Sequence, residues 1–212
     1  MTDRTTAAQI EAIRERCRRD VAFYATNFLF TRDEHDATSP KKLFPALPYL
    51  VWLLRRFQTG PKLQYVAKSR QLMVSWALAV ISLHTIQFRA LANVFFQSKK
   101  EEDAATMIYE KSPLSGRVSF MLSHLPSYLS GCLSPDGVWM DLGDPQAYLR
   151  NNAAFGRITL PNGSEARALA QGASQVESRV ISLFCNDEAF HGSKTLRLNM
   201  HEINSLIKVL GA

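Results

Sequence analysis

The stretch Val180-Ile-Ser-Leu-Phe-Cys-Asn-Asp187-Glu188-Ala-Phe190 constrains this chain most, because a mostly apolar run stops abruptly at two adjacent carboxylates. A short apolar run of this kind reads as a buried strand, and the acids fall at its carboxyl tip. Many ATP hydrolases use this arrangement to set a magnesium ligand beside a water-activating base. About a hundred residues upstream lies a second unusual segment, Lys68-Ser-Arg-Gln-Leu-Met-Val-Ser75, between an apolar strand-like run and an apolar helix-like run. The order of the two segments suggests a phosphate-binding loop followed by a metal-and-base strand.

The flanking pattern sets the fold class. Residues 63–67 read as a short strand, residues 76–83 as a helix apolar on nearly all sides, and residues 93–97 as the next strand. A helix capped by Ser98 and opened by acids is expected after it. Residues 156–160 and 165–169 flank Pro161-Asn-Gly-Ser164, a hairpin signal. Alternating strands and helices imply an α/β fold: a mostly parallel sheet with helices on both faces and a β-hairpin insert. Ligands of such sheets bind beyond the carboxyl ends of the strands, where both unusual segments fall.

Ahead of this core, Ile10, Ile13, Cys17, Val21, Tyr24 and Phe28 recur at spacings of three and four, predicting one helix through the first thirty residues. Its other face, with Glu11, Arg14, Glu15, Arg18 and Arg19, suits local ion pairs or a DNA-facing surface. Residues 31–42 read as a loop, and residues 43–57 as a turn leading into a buried helix. Residues 112–136, with several Ser, Pro and Gly, follow no clear pattern. Phe44, Tyr49 and Trp52 fit either core packing or the wall of an adenine pocket, and His84 fits packing or surface. Arg157, Arg167 and Arg179 are candidates for charge-stabilising or DNA-contacting arginines.

Bulk properties narrow the class without deciding it. The 212 residues suit one domain of ordinary size, or one domain with an appended helical piece, and no apolar run reaches the ~18 residues of a membrane span. Cys17, Cys132 and Cys185 are far apart and lack metal-ligand spacing, as expected of a reduced cytoplasmic protein. A net charge of +6 permits contact with nucleic acid.

A standard phosphate loop reads G-x-x-x-x-G-K-[ST]. Here Ser75 supplies the final hydroxyl, but Lys68, Met73 and Val74 stand where the two glycines and the lysine are usual. Lys68 can reach the same phosphates from the start of the loop, and Arg70 adds a planar fork suited to phosphate. The segment resembles the deviant phosphate loops of the large terminase subunits of tailed bacteriophages, in which Ser-Arg-Gln is frequent and the lysine is sometimes moved to the front. Further matches are Phe95-Phe-Gln-Ser-Lys-Lys-Glu-Glu-Asp103, Leu160-Pro-Asn-Gly-Ser164 and Asp187-Glu188-Ala-Phe190. The resemblance covers roughly residues 43–192.

That resemblance implies a RecA/ASCE-type P-loop NTPase fold with ATP and Mg²⁺ as ligands. Residues 1–60 form a helical N-terminal segment, residues 61–192 an incomplete ATPase core, and residues 193–212 a helical tail unlike the family. Nucleotide binding falls to Lys68, Ser69, Arg70, Gln71, Leu72, Met73, Val74 and Ser75. Ser75 and Asp187 hold the metal, and Glu188 activates water. Implied partners are double-stranded DNA, a portal protein, a small terminase subunit and further copies in a ring, in the cytoplasm of a bacterial host. The family's coupling motif and nuclease domain have no counterpart in the sequence. The expectation is therefore an ATPase portion, with a non-catalytic remnant as the alternative.

Overall fold

The chain is described here by a computed structural model covering residues 6–33, 36, 38–61, 64, 66, 72–170 and 180–186. Helix α1 (Ala7–Arg19) starts at Thr6, whose hydroxyl accepts from the Gln9 backbone while the Gln9 side chain answers to the Thr6 backbone, a complete capping box. The single helix expected through residue 28 is instead two. Asp20 leaves helical geometry at φ −130° and ψ 99°, and its carboxylate accepts from the N–H groups of Ala22 and Phe23, so that it caps α2 (Val21–Phe28). The apolar stripe survives the break, since Cys17, Val21 and Tyr24 are all fully buried.

The loop expected at 31–42 is flanked by two short strands that pair antiparallel, β1 (Phe30–Arg32) and β2 (Lys41–Leu43). Proline at the first helical position then opens α3 (Pro48–Thr59), which buries Leu50, Leu53 and Leu54. The expected strand at 63–67 falls mostly outside the described residues. Helix α4 (Val74–Phe88) is buried along most of its length, as its all-round apolarity requires.

Strand β3 (Asn93–Ser98) follows, then α5 (Glu101–Ile108). Ser98 does not cap α5: it is the last residue of the strand, Lys100 occupies the cap position, and the acids Glu101, Glu102 and Asp103 fill the first turn. The patternless 112–136 region contains α6 (Arg117–Ser123) and the start of a small antiparallel pair, β4 (Gly131–Leu133) with β5 (Trp139–Asp141). Helix α7 (Pro145–Asn152), capped by Asp144, leads into β6 (Ala153–Ala154), β7 (Arg157–Thr159), β8 (Glu165–Ala170) and β9 (Leu183–Asn186).

The main sheet is mixed, in the order β6-β7-β8-β3-β9. The β7–β8 hairpin forms as expected but is not an insert, because β8 pairs antiparallel with β7 on one edge and parallel with β3 on the other. β9 runs parallel to β3 with Gln97 opposite Asn186. Among the described residues, the helices join the cluster on the Val94 and Phe96 face, while Phe95 and Leu169 form a small second cluster with Ile181 and Phe184. The chain is thus a mixed α/β fold around a five-stranded mixed sheet.

The turn between β7 and β8 anchors the sheet to α4. Asn162, 3% exposed, donates through Nδ2 to the carbonyls of Ile86 at 2.9 Å and Leu133 at 3.1 Å, and its Oδ1 accepts from the Ser164 backbone at 3.0 Å. Gly163 has φ +78°, and a Cβ there would lie 2.7 Å from the Leu91 side chain, so the turn needs glycine for both reasons.

Candidate functional site

The carboxyl ends of the parallel strands are the natural ligand edge of this sheet. α4 ends at Phe88 and β3 starts at Asn93, so the chain reverses between them. Asn162 fixes the end of α4 at the amino end of β8. Fifteen helical residues span about 22 Å and six strand residues about 20 Å, so the first turn of α4 comes level with the carboxyl end of β3. Met73, Val74 and Ser75 therefore lie toward the same edge as Gln97, Ser98 and Asn186.

Met73 holds the N-cap position of α4 at φ 54° and ψ 18°, the left-handed region in which glycine is usual. The phosphate-loop pattern places its second glycine at this residue, so the backbone keeps the shape although the residue type differs. Val74, where that pattern puts lysine, is only 7% exposed and packs in the core, whereas Leu72 is exposed. Ser75 is half-buried in the first turn of α4. Lys68, Ser69, Arg70, Gln71, Asp187 and Glu188 lie outside the described residues.

Asn186 closes the described part of β9 and precedes Asp187 and Glu188 in sequence. Its Nδ2 donates to Gln97 Oε1 at 3.3 Å, and Gln97 Nε2 donates to the Ala170 carbonyl at 3.4 Å. Gln97 is 5% exposed. One buried amide thus ties together the carboxyl ends of β9, β3 and β8.

Beside this row lies a cavity of about 230 Å³ lined by Gln97, Ser98, Asp103, Thr106, Met107 and Arg117. Arg117 comes from α6, in the region without a readable pattern, and sequence reasoning missed it. Its Nη1 contacts Thr106 Oγ1 at 3.5 Å and Met107 Sδ at 3.2 Å, and its guanidinium carbon lies 5.5 Å from the centre of the Trp76 ring. Trp76 also packs edge-on against Phe120. A second cavity, of about 300 Å³, is lined by Arg18, Gln58, His84, Arg89 and Ser182. It is larger but sits at the amino end of β9, the wrong edge for a ligand of parallel strands. His84 there is a packing residue, with Nε2 3.0 Å from the Cys17 carbonyl and a pKa lowered by burial.

The aromatic candidates separate. Phe44 is a core residue at 1% exposure, while Tyr49 and Trp52 are exposed. Arg157 pairs with Glu165 at 2.7 Å across the hairpin, and Arg167 stands opposite Arg157 on β8. Arg179 lies outside the described residues. Among the described residues no three His, Cys, Asp or Glu side chains gather as a metal site, and no helix is long and apolar enough to cross a membrane. No protein-family model matches the sequence, and no curated protein matches it.

Proposed function

We propose that the chain is the ATPase portion of a phage DNA-packaging motor of the large terminase type, hydrolysing Mg-ATP to move double-stranded DNA. The observation that carries the reading is the shared edge. The left-handed Met73 and first turn of α4 lie level with the carboxyl end of β3, against which β9 runs parallel up to the residue before Asp187-Glu188. A RecA-type P-loop core has its phosphate loop, metal ligand and base at such an edge.

The absence of a three-ligand cluster among the described residues is compatible with Mg²⁺, because phosphate oxygens and water supply most of its octahedral shell. A hydroxyl at Ser75 and a carboxylate at Asp187 fit that need. When bound, Mg²⁺ supplies charge neutralisation between the β- and γ-phosphates. Lys68 and Arg70 offset the remaining phosphate charge. Glu188 orients the attacking water and takes its proton. DNA is gripped through its phosphates, so affinity falls steeply with salt and varies little with sequence. Further copies in a ring, a portal protein and a small terminase subunit complete the proposed assembly in the bacterial cytoplasm.

Buried Val74 favours a second reading, a remnant that binds nucleotide or DNA without turnover, since no cation stands at the usual lysine position. Mg²⁺-dependent ATP hydrolysis by the chain, with and without double-stranded DNA, separates the two. Turnover abolished in Glu188→Ala and Lys68→Ala supports the ATPase. Binding of Mg-ATP without turnover supports the remnant, and a folded chain that does neither overturns the nucleotide reading.

A further inference from the structure

The larger cavity, of about 300 Å³, is walled by Arg18 of α1, by Phe57 and Gln58 of α3, by α4 and by the start of β9. Helices build most of it, so the rule that sends ligands to the carboxyl ends of parallel strands does not govern it. Its volume stands at the lower end of the ~300–1,000 Å³ range of small-molecule sites. Ile81 and Phe88 are buried, at 6% and 8% exposure, and the buried His84 ring packs on Phe88 with centroids 4.9 Å apart. Arg18 and Arg89 are exposed. The apolar surface therefore lies at the floor and the charge at the mouth.

Most polar groups around this cavity are already satisfied within the chain. Gln58 accepts from the Val21 N–H and donates to the carbonyls of Arg18 and Arg19. Thr85 donates to the Ile81 carbonyl, and His84 Nε2 lies 3.0 Å from that of Cys17. Arg18 gives Nε and Nη2 to Glu15, which offsets its charge. The groups that remain are donors. The Ser182 hydroxyl accepts from the Asn93 N–H but gives its own proton to no described acceptor, and the Arg89 guanidinium has no partner among the described residues. No described carboxylate lines the cavity. An apolar floor beneath one unbalanced cation fits a ligand with a ring and a single negative charge, and the planar fork of arginine matches a carboxylate. We therefore propose that the cavity binds a small aromatic carboxylate, with its ring on Phe57, Phe88 and His84 and its head on Arg89 and Ser182. The site is independent of the proposed nucleotide edge. An occupant there joins α1, α3, α4 and β9, so it stabilises the folded chain by mass action.

The probe is naphthoate, titrated into the full chain by calorimetry, with naphthalenemethanol as the analogue without charge and acetate as the analogue without a ring. The Ile81 methyl signals in an NMR spectrum locate the bound probe. The expected result is saturable naphthoate binding that shifts Ile81 and raises the melting temperature, with little binding of either analogue. Arg89→Ala should weaken naphthoate roughly 10- to 100-fold, the loss of a hydrogen bond to a charged group, and Arg89→Lys should weaken it less. A chain that binds no naphthoate, or binds it with Ile81 unmoved and Arg89→Ala without effect, overturns the proposal. Acetate binding as tightly as naphthoate also overturns it, since the cavity would then contribute only charge. If the parent chain ignores naphthoate while Arg89→Ala weakens double-stranded DNA binding, the arginine serves nucleic acid and the proposal falls. Should Arg89→Ala not fold, Arg89→Lys and Ser182→Ala decide, and unchanged naphthoate affinity in both counts against the site.

Discussion

Asn186 Nδ2 donates to the Oε1 of Gln97, its direct partner in the parallel register, so the strand that runs into the acidic pair is tied side chain to side chain to the strand beside it. The same Gln97 reaches the Ala170 carbonyl on the far side. This amide row crosses the edge at which the proposed chemistry occurs. Asparagine at the end of an otherwise apolar strand is explained by that neighbour, not by solvent.

Replacing Gln97 with leucine removes both hydrogen bonds in a buried setting. The expected cost is about 1–3 kcal/mol, read as a lower urea midpoint with an unchanged slope. A loss near zero would show that the row contributes nothing to the sheet.

Met73 sits at φ 54°, where a β-branched side chain meets its own backbone. Met73→Val is expected to lower stability by about 1–2 kcal/mol. Met73→Gly should stay within about 1 kcal/mol of the parent, because relief of the left-handed strain offsets lost packing and the greater freedom of the unfolded chain. Thermal or urea unfolding of the pair distinguishes the two effects.

Asn162 reaches three carbonyls on two segments through one amide, those of Ile86 and Arg89 at the end of α4 and that of Leu133 in β4. Asn162→Ala leaves those carbonyls without that donor and removes the acceptor for the Ser164 N–H. A loss of about 2–4 kcal/mol is expected from chemical denaturation. Asn162→Asp should be at least as costly, since it replaces a donor with a charge.

Burial lowers the pKa of His84 from 6.5, and burial acts in the same direction on His124. Below about pH 6.5 the unfolded chain therefore binds more protons than the folded one. The contribution of these residues to stability is complete above that pH and is lost as the pH falls toward their folded values. Glu15, held at about 2 by Arg18 and Arg19, has the same sign but acts only in the acid range. The urea midpoint should fall between roughly pH 7.5 and 5.5, and fall less in His84→Gln. Equal slopes in the two proteins would overturn this assignment.

Elements governed by a single strong local signal were legible in the sequence. Asn162-Gly163 announced the hairpin, and the all-round apolarity of α4 announced its burial. The break at Asp20 was not legible, because the apolar spacing continues through it and only the cap geometry reveals two helices. Ser98 looked like a cap because it precedes three acids, but sheet pairing with Ala170 keeps it in β3. The pairing of β8 on both edges is tertiary information that no local window carries. Arg117 was hidden for the same reason, since an isolated arginine among Ser, Pro and Gly acquires meaning only from what folds against it. At the candidate site, the backbone shape at Met73 agrees with the pattern that its side chain breaks.

The place of β3 in the sheet has a further consequence during synthesis. Both of its neighbours, β8 and β9, come later in the chain, the nearer beginning at residue 165. A nascent polypeptide that has just left the ribosome with Val94, Phe95 and Phe96 in place has two bare edges and no partner for either. The centre of the sheet closes only after some seventy further residues emerge, and until then both edges of this strand are open to pairing with another chain.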